Sequence, residues 1–366
     1  MKTIKVCLIG SEFDWSKKNR SSGVQRYMQE LYENLKKLEA KYNVRIDQIS
    51  FPNLPLLSAG LSPYMRSFLY DFSNYDIIHN LDIKPIAYKN IGNAKIITTI
   101  HDLHWYFAPK IHKEDKMSLK RLIATTFVLK YGTHIALKSD FVFCNSTKTR
   151  NEVAKMGFDK RRMFVIPLGI DNRFIKTPIP KRREREIFKV GYIGSLAYPK
   201  NVQFAIKAFK MLEDTDAVFE IYGSANTSES HYRYLRSLAS VDNRIKLMGF
   251  APEKDLVHIF DSFDVFVHPT LYEGFCLPIL EAQSRGLPVI ICENAKIPKE
   301  VKKYCLEAKN VRHMTTILQN LKSKKYNPDA RNRARAYATH FSWERCAEKT
   351  LKAYKKIFYM GRSDEI

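Results

Sequence analysis

Short apolar runs alternate with amphipathic stretches along the whole chain. In the first half the runs are residues 4–9, 44–49, 77–79, 96–100, 141–144 and 164–166. In the second half they are residues 189–193, 218–222, 245–248, 265–267 and 289–291. Between them lie helical patterns: residues 23–41 place Val24, Tyr27, Met28, Leu31, Leu35 and Leu38 on one face. Continuous apolar strands separated by helices predict parallel sheets covered on both faces. No fixed-period repeat is present. The run Lys-Arg-Arg-Glu-Arg-Glu at 181–186, preceded by Pro178 and Pro180, reads as a solvated linker between two groups of βα units. The predicted fold is therefore α/β, with two doubly wound Rossmann-like domains facing a cleft. The first domain is expected at 1–175, the linker at 176–188 and the second domain from 189 to 344. After Gly286, helices are predicted at 295–301, 311–322 and 329–340. Ser342 then serves as the N-cap of a last helix reaching about Met360.

The chain's 366 residues fit two domains, and 45% hydrophobic content can fill ordinary cores. No stretch approaches the roughly 18 apolar residues of a membrane span, and the N-terminal run is too brief for a signal peptide. A soluble, cytoplasmic protein is expected, with its six scattered cysteines reduced. The net charge of +23 is spread over both halves. It attracts anions of any class: nucleic acid, acidic lipid headgroups or phosphorylated small molecules.

Two nucleotide-binding signatures are absent, G-x-G-x-x-G after a strand and G-x-x-x-x-G-K-[ST], so a dinucleotide oxidoreductase or P-loop NTPase is unsupported. Asp214-Thr215-Asp216 precedes a strand, the wrong end for a metal-holding D-x-D, and reads as a turn. His101-Asp102-Leu103-His104 follows a strand and lacks a further ligand cluster nearby for zinc. His101 is better placed as a crevice ligand, with a buried structural histidine as the alternative.

The chemistry concentrates in residues 268–289, His-Pro-Thr-Leu-Tyr-Glu-Gly-Phe-Cys-Leu-Pro-Ile-Leu-Glu-Ala-Gln-Ser-Arg-Gly-Leu-Pro-Val. Pro278 suits the first position of a helix. This places Glu273 in the preceding loop and Glu281 in the first helical turn. Gly274 to Leu277 can aim N–H groups at an anion, aided by the helix dipole. Carboxylates beside such a site suit sugar hydroxyls; the plain alternative makes them a dipole partner and a loop acid. Lys200, at the mouth of the second domain's first βα unit, suits phosphate oxygens as a point charge. Ser21-Ser22-Gly23 offers a second anion-binding turn, or a simple cap.

These segments, in this order and spanning nearly the whole chain, resemble family 4 glycosyltransferases of the GT-B fold. Glu273 to Glu281 matches the family's E-x7-E motif. Residues 21–27 resemble its Gly loop, His101 to Leu103 its cleft histidine, 194–201 its G-R-L…K-[GN] loop, and 341–344 the start of its last helix. The resemblance implies that Glu281 holds the nucleotide ribose. Glu273 and the amides of Gly274, Phe275, Cys276 and Leu277 would grip sugar and diphosphate. Lys200 would neutralise the diphosphate, with Gly194 and Ser195 beside it. Phe250 would lie on the base-binding edge, the Gly23 loop would approach the diphosphate and His101 would touch the sugar. Glu273, His101 and Lys200 are the expected catalytic residues. Residues 345–366 would form a helix crossing back to the first domain, with closure on donor binding. Three departures stand out: Ser195 where the family often has Arg, Cys276 where Gly is common, which disfavours a positive φ, and one Gly in the first loop where two are frequent.

The implied enzyme is a retaining hexosyltransferase using a nucleotide-diphosphate sugar, first GDP-mannose, with no cofactor and no metal. Its acceptor would be a glycan or lipid-linked saccharide. Contact with anionic membrane is suggested by the basic, apolar segment 110–138, which an ordinary core-facing helix also explains. Residues 51–70 read as an acceptor-side lid or a packed loop. The alternatives are a UDP-sugar transferase, a nucleotide-sugar epimerase, or a nucleic-acid-binding protein, for which no binding motif is present.

Overall fold

The computed structural model describes residues 2–10, 23–50, 70–83, 88–108, 111, 129–180, 186–213, 215–223, 229–323 and 326–360. They divide into two compact units. One holds the described parts of Met1–Phe107, Leu119–Gly169 and Ser342–Ile366, the other those of Ala108–Ser118 and Ile170–Phe341.

The first unit carries six parallel strands: β1 Ile4–Gly10, β2 Val44–Ser50, β3 Ile77–Asn80, β4 Lys95–Ile100, β5 Phe141–Cys144 and β6 Met163–Val165. Their order is β2-β1-β3-β4-β5-β6, so the winding reverses between β1 and β3. All four residues of β3 are buried, the signature of a strand covered on both faces. The helix Gly23–Tyr42 buries Tyr27, Met28, Leu31 and Leu35. The last helix, Trp343–Met360, packs against it and belongs to this unit. It buries Trp343, Ala347, Thr350, Leu351, Tyr354 and Ile357, a stripe at helical spacing. Ser342 caps it, its Oγ accepting from Arg345 N at 3.2 Å.

The second unit carries β7 Phe188–Ile193, β8 Ala217–Tyr222, β9 Ile245–Gly249, β10 Val265–Val267, β11 Val289–Cys292 and β12 Leu306–Ala308, all parallel. Their order is β12-β11-β10-β7-β8-β9. Numbered from β7 and read from β9, this is the 3-2-1-4-5-6 order of a Rossmann sheet, with its switch point between β7 and β10. Gly191 makes the centre of this sheet possible: a Cβ there would lie 2.1 Å from the Phe263 ring.

The structure departs from the sequence reading in four places. β12, Leu-Glu-Ala, has too few apolar residues to register as a strand and gains its pairing from β11. The helix expected at 295–301 is confined to Lys299–Lys302, entered from Pro298. Glu281 does not lie in the first helical turn: the helix is Leu277–Ser284, with Pro278 its second residue and Glu281 one turn in. The chain passes to the second unit at Gly169/Ile170 and returns at Phe341/Ser342, so the first-domain limit of 175 is too late. Helix Asn172–Lys176 is held by the second unit. Phe174 packs edge-on against Phe260 at 5.5 Å, and Arg285 bonds the carbonyls of Phe174, Thr177 and Pro178. Within the expected linker 176–188, residues 181–185 lie outside the described residues, as do Ser21, Ser22 and Asp214, residues 51–69 and most of 110–128.

Candidate functional site

The site forms where β7 and β10 deliver their loops side by side. After β7 the chain turns through Tyr198–Lys200, and after β10 it runs to the helix Leu277–Ser284. Backbone bonds stitch the loops together. The Pro199 carbonyl accepts from Leu271 N at 2.9 Å and from Thr270 Oγ1 at 3.2 Å, while Asn201 Nδ2 donates to Pro269 O at 3.2 Å. A third loop joins: Glu273 N donates to Lys296 O at 3.1 Å. These bonds fix the side chains before any ligand arrives.

Lys200 Nζ consequently lies 2.6 Å from Glu273 Oε1, and His268 Nε2 lies 3.3 Å from the same oxygen. Burial opposes the charge on Glu273, yet the Lys200 ammonium and the His268 hydrogen bond together hold its carboxyl well below the usual carboxylate range. His268 is 1% exposed, stacked between Tyr192 at 5.7 Å and Phe266 at 5.9 Å. Burial pushes its pKa down, so it is neutral at neutral pH.

Cys276 is the residue before the helix and adopts φ 84°, although a β-branchless glycine suits that region better. The expectation that cysteine would avoid a positive φ is therefore wrong: its neighbours Phe275 and Leu277 are buried, Phe275 edge-on to Phe341 at 5.9 Å, and the loop is held in this shape. With its ring spent on packing, Phe275 has only its backbone to offer a ligand. Glu281 is 3% exposed. Ser195 does not supply the missing cation. Its Oγ accepts from Ala197 N at 3.2 Å and its carbonyl accepts from Tyr192 OH at 2.6 Å, so it holds its own loop. A Cβ on Gly223 would lie 2.3 Å from Gly194 O, bringing the ends of β7 and β8 close. Phe250 is half exposed beyond β9, just after Gly249 at φ 75°.

Thus Gly194, Ser195, Lys200, Phe250, Glu273, Gly274, Phe275, Cys276, Leu277 and Glu281 all belong to the second unit, at the carboxyl ends of its strands. His101 and Gly23 belong to the first. His101 follows β4, and its Nε2 lies 2.9 Å from Leu81 O. A carbonyl can only accept, so the proton sits on Nε2 and Nδ1 carries the lone pair. Burial lowers its pKa and keeps it neutral. Tyr27, one turn into the helix that Gly23 opens, meets the His101 ring edge-on at 4.7 Å. Asp102 pairs with His104.

Two residues escaped the sequence reading. His268 stood at the head of the motif without a role. Arg285 is fully buried and clamps Asp261 through bonds of 2.8 and 2.7 Å while donating to three carbonyls. An arginine inside an apolar helix end was the available signal. Among the described residues, one group of three has metal-ligating atoms mutually within 4.8 Å: His268, Glu273 and Cys276. Asp216, of the D-x-D, instead pairs with Lys322 at 2.6 Å.

Two parallel six-stranded sheets, with the side chains gathered at one switch point, define a GT-B glycosyltransferase fold. Residues 21–174 match Glycosyltransferase Family 4, and residues 187–323 match Glycosyl transferases group 1. O-antigen chain mannosyltransferase B of Escherichia coli is 25% identical over 307 residues, covering 80% of this chain and 75% of that protein. The Escherichia coli UDP-Gal:alpha-D-GlcNAc-diphosphoundecaprenol alpha-1,3-galactosyltransferase is 28% identical over 237 residues, 59% of this chain and 57% of that one. The crystal structure of Anabaena HepE in complex with UDP and glucose superposes with a TM-score of 0.70 at 17% identity, covering 96% of this chain and 100% of that one. The chain belongs to glycosyltransferase family 4 and is a glycosyltransferase. Among the described residues no helix is long and apolar enough to cross a membrane.

Proposed function

We propose that the protein is a retaining hexosyltransferase that moves a sugar from a nucleotide diphosphate to a glycan or lipid-linked saccharide in polysaccharide or glycoconjugate synthesis. The observation that carries this reading is the Lys200–Glu273 pair lying just before a helix N-terminus at the Rossmann switch point. Breaking the sugar–phosphate bond puts negative charge on the departing diphosphate. Lys200 and the helix N-terminus, held rigidly beside one another, are assigned to that charge, each preorganised donor being worth roughly 3 kcal/mol. No metal is needed for this. Glu281, buried on the same helix, is assigned to the ribose, Glu273 to the sugar hydroxyls, and His101 to the sugar by family resemblance.

Glu273 is engaged by a lysine and a histidine, which suits a ligand-holding carboxylate and not an attacking one. The acceptor oxygen therefore bonds the anomeric carbon on the face the diphosphate leaves. The C–O bond to phosphate breaks, and the leaving phosphate oxygen takes the acceptor proton. Covalent sugar trapped on Glu273 or Glu281 would refute this course.

GDP-mannose is the first donor assignment, supported by the similarity to the O-antigen mannosyltransferase. A UDP-hexose is the second reading, favoured by the galactosyltransferase relative and by the UDP-bound HepE fold. The diphosphoundecaprenol in that relative's name supports a lipid-linked acceptor, and the net charge of +23 supports a cytoplasmic enzyme resting peripherally on anionic membrane. A panel of nucleotide sugars, scored by thermal stabilisation and by slow hydrolysis, tests the reading. Stabilisation by one donor with retention at the anomeric carbon is expected. An epimerised free sugar, or salt-dependent nucleic-acid binding with no donor response, would overturn it.

A further inference from the structure

We propose that His268, Glu273 and Cys276 form a site for a thiophilic divalent cation, zinc above all, whose occupation excludes the sugar donor. Nitrogen, oxygen and sulfur ligands come from one short loop, residues 268–276, with their ligating atoms mutually within 4.8 Å. Tetrahedral zinc, with bonds of about 2.0–2.3 Å, places its ligand atoms roughly 3.3–3.8 Å apart. His268 Nε2 and Glu273 Oε1 are already at 3.3 Å, so only the sulfur has to close in.

Cys276 supplies an independent reason. Its φ of 84° lies in the left-handed region that glycine adopts without strain, and a strained side chain standing beside two other ligands points to use of its sulfur. The charges also balance. A divalent ion with one carboxylate, one thiolate and a neutral imidazole sums to zero, which a buried loop tolerates. Binding shifts the His268 proton from Nε2 to Nδ1, freeing the Nε2 lone pair, and releases the thiol proton to solvent, while Lys200, 27% exposed, swings away from Glu273. Three protein ligands leave a fourth position for water. The ion plays no part in transfer. It removes Glu273 and Lys200 from the donor, and this competition rests on the function proposed above.

Titrating the whole protein with Co²⁺ reads the site without any activity measurement. One equivalent is expected to give the thiolate-to-cobalt band and tetrahedral visible bands, which Zn²⁺ then displaces. Cys276→Gly tolerates the positive φ and folds, and it removes the band while weakening zinc at least tenfold; His268→Gln weakens zinc similarly. In wild type, saturating zinc raises the apparent Kd for the nucleotide sugar at least tenfold, and in Cys276→Gly it does not. A band that survives Cys276→Gly, or no thiolate band at all, overturns the site. A band with undiminished donor binding overturns the exclusion. Failure of every nucleotide sugar to bind would sink the proposed function and leave the cobalt result standing.

Discussion

Lys200 and Glu273 are 73 residues apart in sequence, yet Nζ and Oε1 are 2.6 Å apart at the switch point of the second sheet. The pair exists because two loops are sewn together at Pro199 and Pro269, not because either side chain seeks the other. Replacing Lys200 by Met removes the ammonium and strands a carboxylate that is only 13% exposed. We expect kcat/KM to fall by about 10²–10³-fold, on the order of 3–4 kcal/mol of lost transition-state stabilisation. Steady-state kinetics with the donor found in the panel checks this. A fall under threefold would show that Lys200 does not meet the diphosphate.

Most of this architecture was legible in the sequence because eleven of the twelve strands fall on short segments rich in β-forming residues between helical patterns, unbroken and apolar in β10 and interrupted by polar residues in β2 and β8. β12 did not, because Leu306-Glu307-Ala308 lies at the sheet's end and takes its geometry from β11. The loop positions of Lys200 and Glu273, after a strand and before a helix, were legible from the pattern around them, while Glu281 lies one turn further along its helix than the sequence suggested. The roles of His268 and Arg285 were not legible. His268 acts through stacking on Tyr192 and Phe266 and through a bond to Glu273, and Arg285 acts through Asp261 and through three carbonyls more than 100 residues away. Such tertiary contacts leave no periodicity. The passage between units at Gly169 was hidden likewise: the basic run at 181–186 looked like a linker, while the preceding helix was held by Arg285.

Arg285→Lys tests that clamp. The guanidinium satisfies Asp261 with two bonds and three carbonyls besides, and an ammonium cannot reproduce that fork. Because the arginine is fully buried, its partners cannot turn to water. A loss of roughly 3–5 kcal/mol is expected, seen as a lower urea midpoint at unchanged slope. Lysine behaving like wild type would show that the carbonyls find other donors.

His79 predicts a pH dependence. It is fully buried, Nδ1 2.6 Å from Tyr354 OH and Nε2 2.8 Å from Thr99 Oγ1, and burial lowers its pKa from 6.5 to about 3. Between those values the unfolded chain binds a proton that the folded chain refuses, so stability rises with pH. The contribution is complete above pH 6.5 and is lost as pH falls towards 3, at up to about 1.4 kcal/mol per pH unit. His79→Gln removes this term. Urea unfolding at pH 7 and pH 5 should show a smaller difference in the variant than in wild type; equal differences would contradict the assignment.

Two glycines separate stability from function. In β7, Gly191 has the Phe263 ring where a Cβ would go, 2.1 Å away, so Gly191→Ala must push strand and ring apart. Overpacking of this kind costs typically 1–3 kcal/mol, and thermal melting should show it directly. Gly23 is the opposite case: nothing lies within 4 Å of its Cβ position, and it opens the helix Gly23–Tyr42 without a positive φ. Alanine there holds the helix about 0.5–1 kcal/mol better. The resemblance nevertheless assigns the Gly23 loop to the diphosphate, where a methyl group would block the backbone's approach. Gly23→Ala should therefore melt at or above the wild-type temperature while binding the nucleotide sugar at least tenfold more weakly in calorimetry. Undiminished affinity would take Gly23 out of the donor site and leave it a plain helix start.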